Sequence, residues 1–103
     1  MLFVTIYRAR PELTREQQQE IFTRRLQWKF DPTSKLIGEY FLVGTGPAEP
    51  AGVLIYEADN PVVQYRDFLA WNDLLDIRTY SAIPAAEGDK VIRQAVQAAA
   101  APA

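Results

Sequence analysis

The residues of this chain that could do chemistry are tyrosines, carboxylates and one arginine. Tyr7, Tyr40, Tyr56 and Tyr80 each fall in a stretch that alternates like a β-strand. An unperturbed phenol, with a pKa of about 10, donates hydrogen bonds or acts as a weak acid rather than as a base. Arg78 shares a side with Tyr80. In a pocket it could hold a carboxylate or steady an enolate; on a surface it could equally pair with Asp73 or Asp76. Glu57 ends its strand and reads as solvent-facing or arginine-paired. Turned into a pocket, it becomes the leading general base, its pKa raised by desolvation.

Histidine and cysteine are both absent from the 103 residues. That removes thiolate chemistry, disulfides, histidine triads, His-ligated haem and zinc sites built on either residue. Asp67, Asp73 and Asp76 lack the spacing of a metal-binding loop, so no metal site is expected, and no cofactor. The Gly-x-Gly of GTGPAEPA (44–51) joins two strands and leads into no helix. It reads as a hairpin loop near a pocket mouth rather than a phosphate cradle.

The composition is that of one small globular domain, 49% hydrophobic with a net charge of −2. Without a basic cluster, nucleic-acid binding is not expected. No window approaches the ~20 apolar residues of a membrane span. The opening MLFVTIYRAR lacks a charged leader and a small-residue cleavage site, so it reads as a first strand, and a cytoplasmic location is the default expectation.

Four strands are expected, at 2–8, 35–43, 52–58 and 76–83. Thr14 and Gln17 have the spacing of a capping box, opening a helix to about residue 29. Asn60-Pro61 opens a second helix to about Trp71, with Val62, Tyr65, Phe68 and Leu69 as its apolar face. Pro84 separates a domain at 1–83 from an Ala-rich tail at 84–103, with a short helix expected over 85–101. The order β-α-β-β-α-β predicts an α+β, ferredoxin-like fold with a four-stranded antiparallel sheet and both helices on one face.

The aliphatic rows (Leu2/Val4/Ile6, Ile37/Phe41/Val43, Val53/Ile55 and Ile77/Ile83) are the natural targets of those helices. The other face would then collect Phe3, Thr5, Tyr7, Tyr40, Leu42, Leu54, Tyr56, Arg78 and Tyr80. An aromatic face of that size calls for a cover, and the same face of a second copy supplies it. A homodimer packed sheet to sheet is the expectation.

MLFV at the start, KLIGEY in the second strand, EADN before the second helix and WNDLLD before the last strand carry a resemblance over residues 1–83. The chain resembles the dimeric α+β barrel superfamily and, within it, a small uncharacterised bacterial family. Its opening and layout are also similar to muconolactone isomerases and to cofactor-free monooxygenases. Some members of the nearer family carry histidine where Phe41 stands here, so histidine chemistry does not carry over. The resemblance implies a pocket in each protomer and, if there is catalysis, metal-free and cofactor-free isomerisation, cyclisation or oxygenation of a small apolar or aromatic compound.

On this reading Arg78, Tyr56 and Glu57 are the candidate catalytic residues. Phe3, Thr5, Tyr7, Tyr40, Leu42, Leu54 and Tyr80 line the pocket. Trp71 fills the core or the dimer edge, or stands at the pocket rim. The alternative is a non-catalytic ligand-binding or assembly module whose aromatic face is only a dimer interface.

Overall fold

Thr14 starts the first helix as its spacing predicts. Its hydroxyl accepts a hydrogen bond from the Gln17 N–H at 3.2 Å, and Gln17 Oε1 accepts from the Thr14 N–H at 2.9 Å. The computed structural model describes residues 1–46 and 49–100. In chain order these form β1 (Leu2–Ala9), α1 (Arg15–Gln27), β2 (Lys35–Phe41), β3 (Gly52–Glu57), α2 (Val62–Trp71), β4 (Leu75–Ala82) and α3 (Ala85–Ala100). Asn60 caps the entry to α2, its Oδ1 accepting from the Val62 N–H at 3.0 Å. Residues 47–48 of the expected hairpin loop and residue 101 of the expected tail helix lie outside the described residues.

All neighbouring strands are antiparallel, in the order β2-β3-β1-β4, which is the ferredoxin-like topology. Register sets the faces. Phe3 pairs with Tyr56 and Ser81, Thr5 with Leu54 and Thr79, and Tyr7 with Gly52 and Ile77. Glu39 stands opposite Leu54 and Phe41 opposite Gly52, beyond a register shift between Leu36 and Gly38.

The core lies where this aromatic row meets the helices. Phe3, Leu54, Tyr56, Ala58 and Val63 are buried together, with Tyr7, Trp28 and Phe30 packed against them. Tyr56 is fully enclosed, its ring 5.7 Å from Phe3 and 5.5 Å, edge-on, from Phe30. The expected sidedness is therefore reversed on two strands. On β1 and β3 the helices cover Phe3, Thr5, Tyr7, Leu54 and Tyr56, while Leu2, Val4, Ile6, Val53 and Ile55 look outward. On β2 and β4 the expectation holds in part: Glu39, Phe41 and Ile77 face the helices, and Tyr40, Leu42, Arg78 and Tyr80 face away. Ile37, at the register shift, and Val43 and Ile83, beyond the strand ends, are instead exposed, and Leu36 pairs with Tyr56 on the helix side. Tyr7 and Tyr56 thus part from Tyr40 and Tyr80. Both sides of β1 and β3 are apolar, and the bulkier aromatic side removes more area from water when buried.

α2 is rotated in the same sense. The expected face, Val62, Tyr65, Phe68 and Leu69, is exposed, and the helix buries Val63 and Trp71 instead. α3 forms as expected but buries nothing, leaving a stripe of Val91, Ile92 and Val96 uncovered. No helix among the described residues is long and apolar enough to cross a membrane.

The buried Tyr56 hydroxyl makes no hydrogen bond among the described residues, although Thr5 and Gln64 lie near it. Removing it should therefore leave stability unchanged or raise it by up to about 1 kcal/mol, whereas Tyr56→Ala should cost about 3–5 kcal/mol. Urea denaturation of the two variants checks this. A loss above about 1 kcal/mol in Tyr56→Phe would show that the hydroxyl is satisfied in solution, by Thr5, Gln64 or a bridging water.

Candidate functional site

α1 buries none of its own residues, so it stands off the sheet rather than packing flat on it. Two adjacent arginines moor it. Arg24 reaches α2, donating to Asp73 Oδ1 at 2.8 Å and Oδ2 at 3.1 Å and to the Ala70 carbonyl at 2.8 Å, with its guanidinium 5.5 Å from the Trp71 ring centre. Arg25 reaches β2. Its guanidinium lies 5.1 Å from the ring centres of both Trp28 and Phe41 and forks onto Glu39 at 2.8 Å and 2.7 Å.

Glu39 also accepts from the Tyr7 hydroxyl at 2.6 Å. Tyr7 belongs to β1 and Glu39 to β2, so the phenol must cross β3 between them. It crosses at Gly52, where any Cβ would run into the ring. Burial pushes the Tyr7 phenol well above its ordinary value; the hydrogen bond to Glu39 and that carboxylate's charge push the same way, against Arg25. Tyr7 is a fixed donor here, not a source of phenolate.

Between α1, α2 and the sheet lies a cavity of about 600 Å³. Its walls are mostly apolar and aromatic, with Phe22, Trp28, Phe41, Leu54, Trp71 and Ile77 prominent. The polar groups reaching it include Tyr7, Arg25, Glu39 and Asp67. Thr5 is also there, its hydroxyl 2.9 Å from that of Thr79. Asp67, on α2, has a carboxyl pushed up to about 6, first by burial and then by the negative charge of Asp31. Among the described residues no group of three or more potential ligands converges to hold a metal ion.

Of the expected site residues, Thr5, Tyr7, Leu54 and Trp71 meet at this cavity, while Phe3 and Tyr56 are core residues beside it. Tyr40, Leu42, Tyr80 and Arg78 lie on the opposite face of the sheet and cannot reach it. Arg78 pairs with neither expected partner: Asp76 is bound by Arg8 at 3.1 Å and Asp73 by Arg24. With Tyr80, Arg78 lines a separate, smaller recess of about 340 Å³. Glu57 is exposed at the outward end of β3, so it is no base for this cavity. The cavity lies beneath the helices because that is where the aromatic rows of β1 and β3 went. Gln18, Arg25, Glu39 and Asp67 are the polar residues the sequence reading did not place in the site. A signal for Asp67 was available: it sits four residues from both Val63 and Trp71, on the buried stripe of α2.

The sign of Asp67's effect on stability follows from its shift. Its folded-state pKa lies above the unfolded value of 3.8, so the folded chain binds that proton more tightly and gains stability as pH falls through about 6. Urea denaturation should show the protein more stable at pH 5.0 than at 7.5, by up to about 1 kcal/mol after screening of a half-exposed group. Asp67→Asn should flatten that difference. Asp31 and Asp73, both held below their ordinary values, act in the opposite direction at lower pH.

No curated protein and no solved structure matches the chain significantly. A family model described as a domain of unknown function, DUF3303, matches residues 1–96, and the chain belongs to that family.

Proposed function

We propose that this chain binds a small apolar or aromatic molecule in the cavity beneath α1. The observation that carries the reading is the cavity itself: about 600 Å³, walled by aromatic and aliphatic side chains, with a few polar groups at fixed positions. That is the usual make-up of a small-molecule site, and the volume falls within the ~300–1,000 Å³ such sites occupy. Were the isomerase, cyclase or monooxygenase chemistry suggested by the resemblance to run here, Asp67, Tyr7 and Glu39 would have to carry it. Arg78, Tyr56 and Glu57 are out of position. A carboxyl near 6 can exchange a proton at neutral pH, which suits proton transfer.

Both tryptophans of the chain line the cavity, so intrinsic fluorescence reports occupancy directly. Titration with 2-naphthol should give a saturable change. Ala9→Phe, which fills the cavity from β1, should weaken that binding at least tenfold without unfolding the protein. A non-saturable response in the wild type overturns the reading.

A second reading, homodimeric assembly through the open sheet face, rests on a different observation. Val4, Ile6, Val53 and Ile55, bordered by Tyr40, Leu42 and Tyr80, form an apolar face that no helix among the described residues covers. Light scattering should give a dimer, and Val4→Asp combined with Ile55→Asp should give a folded monomer. A monomeric wild type removes this reading and leaves the cavity untouched.

A further inference from the structure

α2 presents to the sheet a stripe four residues apart: Val63, Asp67 and Trp71. The two apolar members are 4% and 7% exposed, and the aspartate between them is turned into the cavity. A carboxyl in such a row is costly unless something pairs with it. Among the described residues Asp67 makes no hydrogen bond and no ion pair. The other charged groups lining the cavity are already matched. Arg25 is committed to Glu39, which also accepts the Tyr7 hydrogen bond, and Arg24 nearby is committed to Asp73.

The surroundings of Asp67 make it a site for positive charge. Tyr56 on β3 stands near it but is a neutral phenol, raised by burial. Asp31, in the segment after α1, adds negative potential, and Thr33 and Arg66 hold it ionised. The walls carry the rings of Phe22, Trp28, Phe41 and Trp71. Three of these rings already attract guanidinium groups, as aromatic faces do. A carboxylate ligand would meet like charge here and no free cation.

We propose that Asp67 is the recognition group for the protonated amine of a small aromatic or aliphatic amine bound in the cavity. The inference rests on the ligand-binding reading above and adds to it the class of ligand: an organic cation whose apolar body contacts the rings and whose ammonium donates to Asp67. The ammonium supplies the charge and the donors that the protein withholds from this one carboxyl. Binding should draw the carboxyl back toward its ordinary, ionised range.

Three compounds with one skeleton test it on the full chain: 2-phenylethylamine, 2-phenylethanol and phenylacetate, read by the fluorescence of Trp28 and Trp71. At pH 7.5 the amine should bind at least tenfold more tightly than the alcohol, and phenylacetate more weakly than either. At pH 5.0 the amine keeps its charge while Asp67 takes up a proton, so its affinity should fall about tenfold, as a group titrating near 6 requires. Asp67→Asn should level amine and alcohol and abolish the pH dependence. The wild-type pH profile decides the matter alone if that variant does not fold. If 2-naphthol binds but the amine does no better than the alcohol, the inference is overturned and the cavity reading stands. If neither 2-naphthol nor any of the three binds, both fall together.

Discussion

Glu39 is the point on which the arrangement of this molecule depends. Its carboxylate receives Arg25 from α1 and Tyr7 from β1, joining a helix, a central strand and an edge strand at one group. α1 buries no side chain of its own, so it lacks the apolar anchorage that normally positions a helix on a sheet. Its place is set by two adjacent arginines that reach in different directions, Arg25 forking onto Glu39 and Arg24 onto Asp73. The Glu39 side chain is only 11% exposed and that of Arg25 is 36%. The pair therefore sits between the exposed case, worth up to about 1 kcal/mol, and the buried case, where losing one partner costs about 3–5 kcal/mol. A helix held by polar links at its edge, not by packing along its length, leaves the space that becomes the cavity.

That constraint has a counterpart in the sheet. Tyr7 reaches Glu39 only because β3 offers Gly52 at the crossing point, and this requires the Phe3/Thr5/Tyr7 side of β1 to face the helices. Once Tyr7 faces inward, the alternation of β1 sends Leu2, Val4 and Ile6 outward, and antiparallel pairing carries Val53 and Ile55 with them. One choice of side thus produces both the polar cluster under α1 and the aliphatic sheet face opposite.

The register shift before Gly38 was not legible in the sequence, whereas strand and helix order, the Thr14 capping box, the Asn60 cap, the side of β4 and that of β2 from Gly38 onward were. Each rests on local chemistry or on a row that is clearly more apolar than its alternate. The sides of β1 and β3 were not legible from period-2 alternation, because both of their rows are apolar and alternation cannot rank aliphatic against aromatic. Arg8 and Glu57, which continue the aliphatic rows, were the weak markers that those rows meet solvent. α2 failed for a related reason. Four apolar residues on one side outnumber Val63 and Trp71 on the other, yet the tryptophan's size prevailed. The candidate site inherited these errors: Thr5, Tyr7, Leu54 and Trp71 reach the cavity, whereas the residues given catalytic roles do not. Glu39 was assigned to the helix-covered side correctly, but no local pattern says that an arginine one element earlier will meet it there.

The polar groups of the cavity divide by how completely they are satisfied, and that division separates structure from function. Tyr7, Arg25 and Glu39 form a closed set in which the phenol and the arginine are both committed to the carboxylate. Such a set is stiff, and a ligand could enlist it only by breaking bonds that hold α1 in place. Asp67 has the opposite character. Partial burial and the charge of Asp31 both disfavour its ionised form, and among the described residues no partner offsets that cost. A leucine there would continue the Val63–Trp71 stripe and favour folding, as binding and catalytic groups are commonly retained at the expense of stability. The group that weakens the fold is the one free to meet a ligand, so function in this cavity is to be sought at α2 rather than in the network that supports α1.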